Sequence, residues 1–130
     1  MARHLPDSTS LVNFARGRPV ERHWFQVMLN SAEEVGCCPI TIAECLAGAT
    51  PTERAGWREF FASFAFWPIL PDDAIQAGTW RYDFARRGLQ LKLDDLLIAA
   101  VARRLDAIVV TENVKDFPMD GVRVVSLYPA

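Results

Sequence analysis

The sequence predicts an α/β domain in which a mostly parallel sheet of about five strands lies between layers of helices. Two observations carry that expectation. Short apolar, β-rich runs alternate along the chain with longer segments of helical periodicity. The stretch from Leu93 to Phe117, LDDLLIAAVARRLDAIVVTENVKDF, also holds an amphipathic helix, a tight turn, a buried strand and a polar loop in succession. In a parallel sheet, such a helix start and strand end meet at one edge, where folds of this class bind their ligands. Carboxylates gathered there repel one another, and a hard divalent cation such as Mg2+ or Mn2+ is the common relief.

Taken in order, the chain opens with Leu5, Pro6 and Asp7. A short strand ends near Asp7, with Pro6 suited to an edge or a strand end because it lacks a ladder donor. Helical spacing begins at Ser8 or Thr9, turns Leu11, Val12 and Phe14 inward and stops at Gly17. Asp7 beside Ser8 and Thr9 reads as a helix cap on its residue type alone. Pro19 to Asn30 forms a second helix with Val20, Trp24, Val27 and Met28 on its core face, which completes a helical hairpin.

VGCCPIT is a short strand stopped by Pro39, and Thr41 starts the helix TIAECLAG, which ends at Gly48. Thr41 and Glu44 fit a capping box, the structural alternative to any role of Glu44 in a site. A helix from Thr52 or Glu53 to Phe64 carries Trp57, Phe60, Phe61 and Phe64 on one face, read as core or as part of a protein-binding groove. The run around Pro68 is a strand or extended link. Pro71 with Asp72 and Asp73 then starts a long helix closed by Gly88, its acids suited to capping.

The next helix buries Leu96, Leu97, Ala100, Val101 and Leu105, and AIVV follows as a buried parallel strand. VRVVSL is the last strand, with Tyr128 and Pro129 as its tail.

Composition bounds the function. One domain over residues 1–130, with 51% hydrophobic and 23% charged residues, is a globular rather than a disordered composition. No apolar run approaches the ~20 residues a membrane helix needs, and MARHLPDSTS lacks the apolar centre of a secretory signal. The expected compartment is the cytoplasm. Cys37, Cys38 and Cys45 form no CxxC pair and read as reduced, Cys37 and Cys38 lying in an apolar run. A net charge of −2 argues against nucleic-acid binding by a basic surface alone, yet it accommodates a nuclease whose acidic pocket is flanked by arginines.

Asp7, Glu44, Asp95 and the pair Asn113/Asp116 all fall at strand-to-helix junctions, along one edge of a parallel sheet. The segments that carry them, DSTSLVNFARG, TIAECLAG, DLLIAA and TENVKDF, resemble those of PIN-domain ribonucleases, specifically the VapC-type toxins of bacterial type II toxin–antitoxin systems. The resemblance spans nearly the whole chain. It implies a PIN-like three-layer sandwich, Mg2+- or Mn2+-dependent cleavage of RNA, a homodimer, and inhibition by a cognate antitoxin.

Carried over by position, it implies a catalytic and metal set of Asp7, Glu44, Asp95 and Asp116, supported by Asn113, Thr111 and Ser8. Asp94, which precedes Asp95, is a shadow candidate: the D-x-x-I-A-A register picks Asp95 and leaves Asp94 as a cap or a solvated acid. Arg3, His4 and Pro6 stand where the family has a hydrophobic run, and Asn113 is neutral where many relatives carry a carboxylate. Arg16, Arg86, Arg87 and Lys92 are candidate phosphate contacts. Two rival readings remain. A catalytically silent PIN-like binding or scaffolding protein would lack Mg2+-dependent stabilisation. A phosphotransfer receiver domain would want an acidic pair in its first loop and a lysine after its last strand, and this chain has neither.

Overall fold

The strands and helices alternate in a computed structural model that describes residues 1–128; Pro129 of the expected tail lies outside the described residues. The elements are β1 (Arg3–Pro6), α1 (Ser8–Ala15), α2 (Pro19–Leu29), β2 (Glu34–Cys37), α3 (Pro39–Ala47), α4 (Arg54–Ala62), β3 (Ala65–Phe66), α5 (Pro71–Arg86), α6 (Leu93–Leu105), β4 (Ala107–Val110) and β5 (Arg123–Val125). A short 3-10 turn, Val114–Asp116, follows β4. All strand pairs are parallel, in the order β3-β2-β1-β4-β5. The chain therefore builds outward from β1 in one direction, then crosses back and builds outward in the other. The loops after β1 and β4 diverge, which leaves a crevice at the carboxyl edge between them.

Strand alternation assigns the two faces. Leu5 and Val109 join Trp67, Trp80, Phe84, Leu96 and Val101 in the core beneath α5 and α6. Val35 and Cys37 point the other way and pack with Leu11, Phe25, Cys45 and Phe64 beneath the remaining helices. All three cysteines are free and buried. At the edge away from the crevice, the Arg104 guanidinium donates to the buried Asp73 carboxylate (3.0 Å) and to the Pro68 carbonyl (2.8 Å), tying the end of α6 to the start of α5. Asp73 also accepts from the Leu70 amide at 2.8 Å, the capping role expected of that acid.

Several elements differ in detail from the sequence expectation. β1 is the central strand despite its composition. Pro6 is tolerated because it is the last strand residue, and the next amide, of Asp7, resumes donation to the Val110 carbonyl at 2.9 Å. His4 is buried with its ring edge-on to Trp24 at 5.7 Å, and its Nδ1 has no partner.

The inward face of α2 is Glu21 and Phe25 with Trp24 and Met28, whereas Val20 and Val27 are exposed. Glu21 is buried because Asn13 Nδ2 (3.1 Å) and the Tyr128 hydroxyl (2.6 and 2.7 Å) donate to its carboxylate. Helix α3 begins two residues earlier than expected, with Pro39 in its first turn and Cys38 as N-cap. Thr41 Oγ1 accepts from the Cys38 amide at 3.1 Å, so Thr41 occupies the capping-box position expected of Glu44. Among the aromatics of α4 and its exit, Phe64 is buried while Trp57, Phe60 and Phe61 are half-exposed.

Gly36 on β2 faces the Trp67 ring, and a Cβ there would lie 2.5 Å from it. Gly36→Ala is expected to lose about 1–3 kcal/mol of stability through this overpacking, measured by urea unfolding against wild type.

Candidate active site

Asp7 immediately follows β1 and caps α1, its Oδ1 accepting from the Ser10 amide at 2.9 Å. Its Oδ2 accepts from Thr111 Oγ1 at 2.5 Å. Thr111 immediately follows β4, its amide donates to the Val125 carbonyl at 3.0 Å, and its hydroxyl oxygen accepts from the Asn113 amide at 3.0 Å. Ser10 Oγ adds a bond to the Val110 carbonyl at 3.2 Å. Asp7 is thus a helix cap and a carboxylate fixed at the crevice floor at once; the two roles use different oxygens.

Around it, five carboxylates line one pocket of about 110 Å3: Asp7, Glu44, Asp94, Asp95 and Asp116. Ser8, Thr9, Lys92, Asn113 and Phe117 complete the wall. Glu44 reaches the pocket from the middle of α3. Asp94 and Asp95 occupy the first turn of α6, and Asp116 ends the 3-10 turn after β4. The Asp116 amide donates to the Asn113 carbonyl at 2.9 Å, which folds that turn back toward the crevice.

The electrostatics follow from this crowding. Burial pushes the Glu44 carboxyl from 4.5 up to about 7, helped by Asp94, whose carboxyl lies close enough to share a proton, and by Asp95, while the Ser8 hydroxyl pulls the other way. Burial likewise lifts Asp95 from 3.8 to about 6, reinforced by Asp94, Asp116 and Asp7 and opposed by Lys92.

The donor set fits a hard divalent cation: carboxylate oxygens with an amide and hydroxyls at hand, and no imidazole or thiol among the lining residues. Among the described residues, no three His, Cys, Asp or Glu side chains are already poised around a single ion position. Such a pocket suits an ion that takes one or two direct carboxylates and keeps several waters, as Mg2+ does.

The sequence-expected residues Asp7, Ser8, Glu44, Lys92, Asp95, Asn113 and Asp116 meet in this pocket, and Thr111 lies directly beneath it. Arg16 lines an adjoining groove of about 220 Å3 that shares Glu44 with the pocket. Arg86 and Arg87 do not line either one. They end α5, where Arg86 lies over the Tyr82 ring and Arg87 over the Phe84 ring, each 4.4 Å from the centroid.

Asp94 is the residue that sequence reasoning set aside. It is half-buried in the pocket rather than solvated, its Oδ1 accepting from the Asp95 amide at 3.1 Å. A signal was present, because consecutive acids in the first turn of a helix both sit at its open end, and a register argument that picks one does not send the other elsewhere.

Comparison with known proteins follows the same outline. A family model described as "PIN domain" matches residues 5–118. The chain is 33% identical over 118 residues to Ribonuclease VapC19 of Mycobacterium tuberculosis, covering 88% of this chain and 92% of that protein. It is 34% identical over 118 residues to Ribonuclease VapC10 of the same organism, covering 88% and 86%. A toxin–antitoxin complex from Klebsiella pneumoniae superposes with TM-score 0.79 at 25% identity, over 98% of this chain and 99% of that one. A DNA-bound VapBC from Salmonella typhimurium, at 23% identity, TM-score 0.81 and coverage of 98% and 100%, shares the fold.

Because Glu44 and Asp95 hold their protons more tightly when folded, their contribution to stability is complete below about pH 4 and is lost as pH rises through about 6 and 7. The metal-free protein is expected to lose thermal stability between pH 5 and pH 8. Glu44→Gln removes part of that slope, which paired melting curves across this range would measure.

Proposed function

Since this chain belongs to the PIN-domain family, we propose that it is a VapC-type endoribonuclease, a toxin that hydrolyses RNA phosphodiester bonds with a divalent cation and is neutralised by a cognate antitoxin. The observation that carries the reading is the convergence of carboxylates from β1, α3, α6 and the turn after β4 in one small, half-buried pocket. A structural acid pairs with a base or a helix end; Glu44 and Asp95 face chiefly other carboxylates.

Asp7, Asp95 and Asp116 are the residues that would hold Mg2+ or Mn2+, with Glu44 beside them. The bound cation would supply Lewis-acid polarisation of the phosphoryl group and a more acidic water. The chain's own contribution is positional. Thr111 Oγ1 and the Ser10 amide hold both oxygens of Asp7, so its carboxylate keeps one orientation. Glu44, beside the cation, would orient the attacking water and take its proton. Asn113 offers a neutral amide to a phosphate oxygen without adding to the repulsion. Lys92 at the pocket rim and Arg16 in the adjoining groove meet the flanking phosphates, and Arg86 and Arg87, which line neither, would meet phosphates outside them.

Trp57, Phe60 and Phe14 line a further apolar groove of about 330 Å3 with Ala15, Gly56 and Glu53. An amphipathic antitoxin helix would lay its apolar anchors there. The functional unit is a homodimer, as the family resemblance implies, acting in the cytoplasm; no described helix is long and apolar enough to cross a membrane.

Asp7→Asn and Asp95→Asn are each expected to abolish Mg2+-dependent RNA cleavage with the far-UV spectrum retained, since Asn preserves shape and capping while losing charge. Glu44→Gln should lower turnover by about 100-fold or more. Full turnover in folded Asp95→Asn would overturn the assignment. Trp57→Glu should weaken binding of the cognate antitoxin by about 2 kcal/mol or more, read by calorimetry on the folded variant.

A further inference from the structure

Resting on the cation-dependent reading above, we propose that Asp94 is a fifth carboxylate of the cation centre, one that holds Glu44 in the pocket and adds its own charge to cation capture. An acid in the first turn of a helix ordinarily turns toward solvent, where water and the helix amides stabilise it. Asp94 does neither alone. Its Oδ1 accepts from the Asp95 amide at 3.1 Å, which folds the side chain back across the first turn of α6. The carboxyl is then directed into the pocket, against Glu44 from α3.

Asp94 thereby bridges two helices that carry expected ligands. Its carboxyl shares the pocket with Glu44 and accepts from the Asp95 amide, which places it beside both. Lys92 is the single cationic side chain among the ten residues that line the pocket, set against five carboxylates. That imbalance leaves room for more positive charge than one lysine brings. Two carboxylates aimed at one another repel once both are ionised, and a cation between them relieves that repulsion. The neighbouring residue Asp95 fits the family register, but the geometry directs both acids of the pair to the same place.

The test is Mn2+ binding to the full chain, measured by calorimetry and by the rise in melting temperature on adding Mn2+, for wild type, Asp94→Asn, Asp95→Asn and Asp72→Asn. Asp72 is exposed at the far end of α5 and controls for net charge. Asp94→Asn is expected to weaken Mn2+ by roughly 10- to 100-fold and to shrink the melting shift, with Asp72→Asn unchanged. Mn2+ affinity within twofold of wild type in folded Asp94→Asn, with Asp95→Asn impaired, overturns the role of Asp94 and leaves the nuclease reading standing. Wild type that binds no Mn2+ overturns both.

Discussion

The parallel pairing of β1 with β4 is the constraint from which the rest of the site follows. Arg3 to Pro6 run in register with Ala107 to Val110 at the centre of the sheet, so the residues after each strand emerge side by side. Asp7 and Thr111 are those residues, and the bond between them joins strands separated by 104 positions in sequence. A charge-assisted hydrogen bond in a buried setting contributes roughly 1.5–3 kcal/mol, more than a neutral one. The Asp7 amide and Ser10 hydroxyl both donate to the Val110 carbonyl, which ties α1 to the same point. A change in the register of β1 against β4 would misplace the cap, the threonine clamp and the pocket floor together.

Such a pocket is costly to keep, and the surrounding core offsets the cost. Two of its acids project from α6, whose other faces are almost wholly buried: Leu96, Ile98, Ala99, Ala100, Val101 and Ala102. Small alanines let the helix lie close to the sheet and to α5, while Leu96 and Val101 fill the space between. The far end of α6 is held by the Arg104 link to Asp73. The helix is anchored along its length and at its distal end, so repulsion at its first turn cannot lift it away. Instability at the functional edge is compensated by burial away from it, as expected where an active site violates local preferences.

The fold was legible in the sequence wherever local pattern and tertiary role agreed. The run from Leu93 to Val110 reads as a buried helix and a buried strand because its apolar residues recur at the right periods, and the structure keeps both. The junction acids were legible because parallel topology sends every strand exit to one edge. What escaped was set by partners distant in sequence. The inward face of α2 includes Glu21, a residue that periodicity assigns to solvent; Tyr128, 107 positions away, makes its burial tolerable. The start of α3 was displaced because Pro39 can stop a strand or open a helix, and Cys38 is not a preferred N-cap type. Once Thr41 is seen to occupy the third helical position, Glu44 falls in the middle of α3 and the capping explanation for it lapses. Asp94 was ranked below Asp95 for a different reason: a family register names one acid, while helix geometry delivers two.

The buried acids of this chain separate into two kinds, and burial alone does not distinguish them. Glu21 and Asp73 are the more deeply buried, at 1% and 2% exposure, yet each is met by donors: Asn13 and Tyr128 for the first, Arg104 and the Leu70 amide for the second. Their negative charge is answered within the folded chain. Glu44 and Asp95 are only half-buried, and the groups that face them are chiefly other carboxylates; burial first, and those carboxylates after it, make both hold their protons to higher pH. A structural acid selected for stability gathers donors around it, since an unpaired buried charge costs several kcal/mol. An acid whose neighbours raise its energy contributes nothing to folding by that arrangement. Its placement fits a positively charged group from outside the chain, and the hard oxygen donors of this pocket suit the divalent cation proposed above.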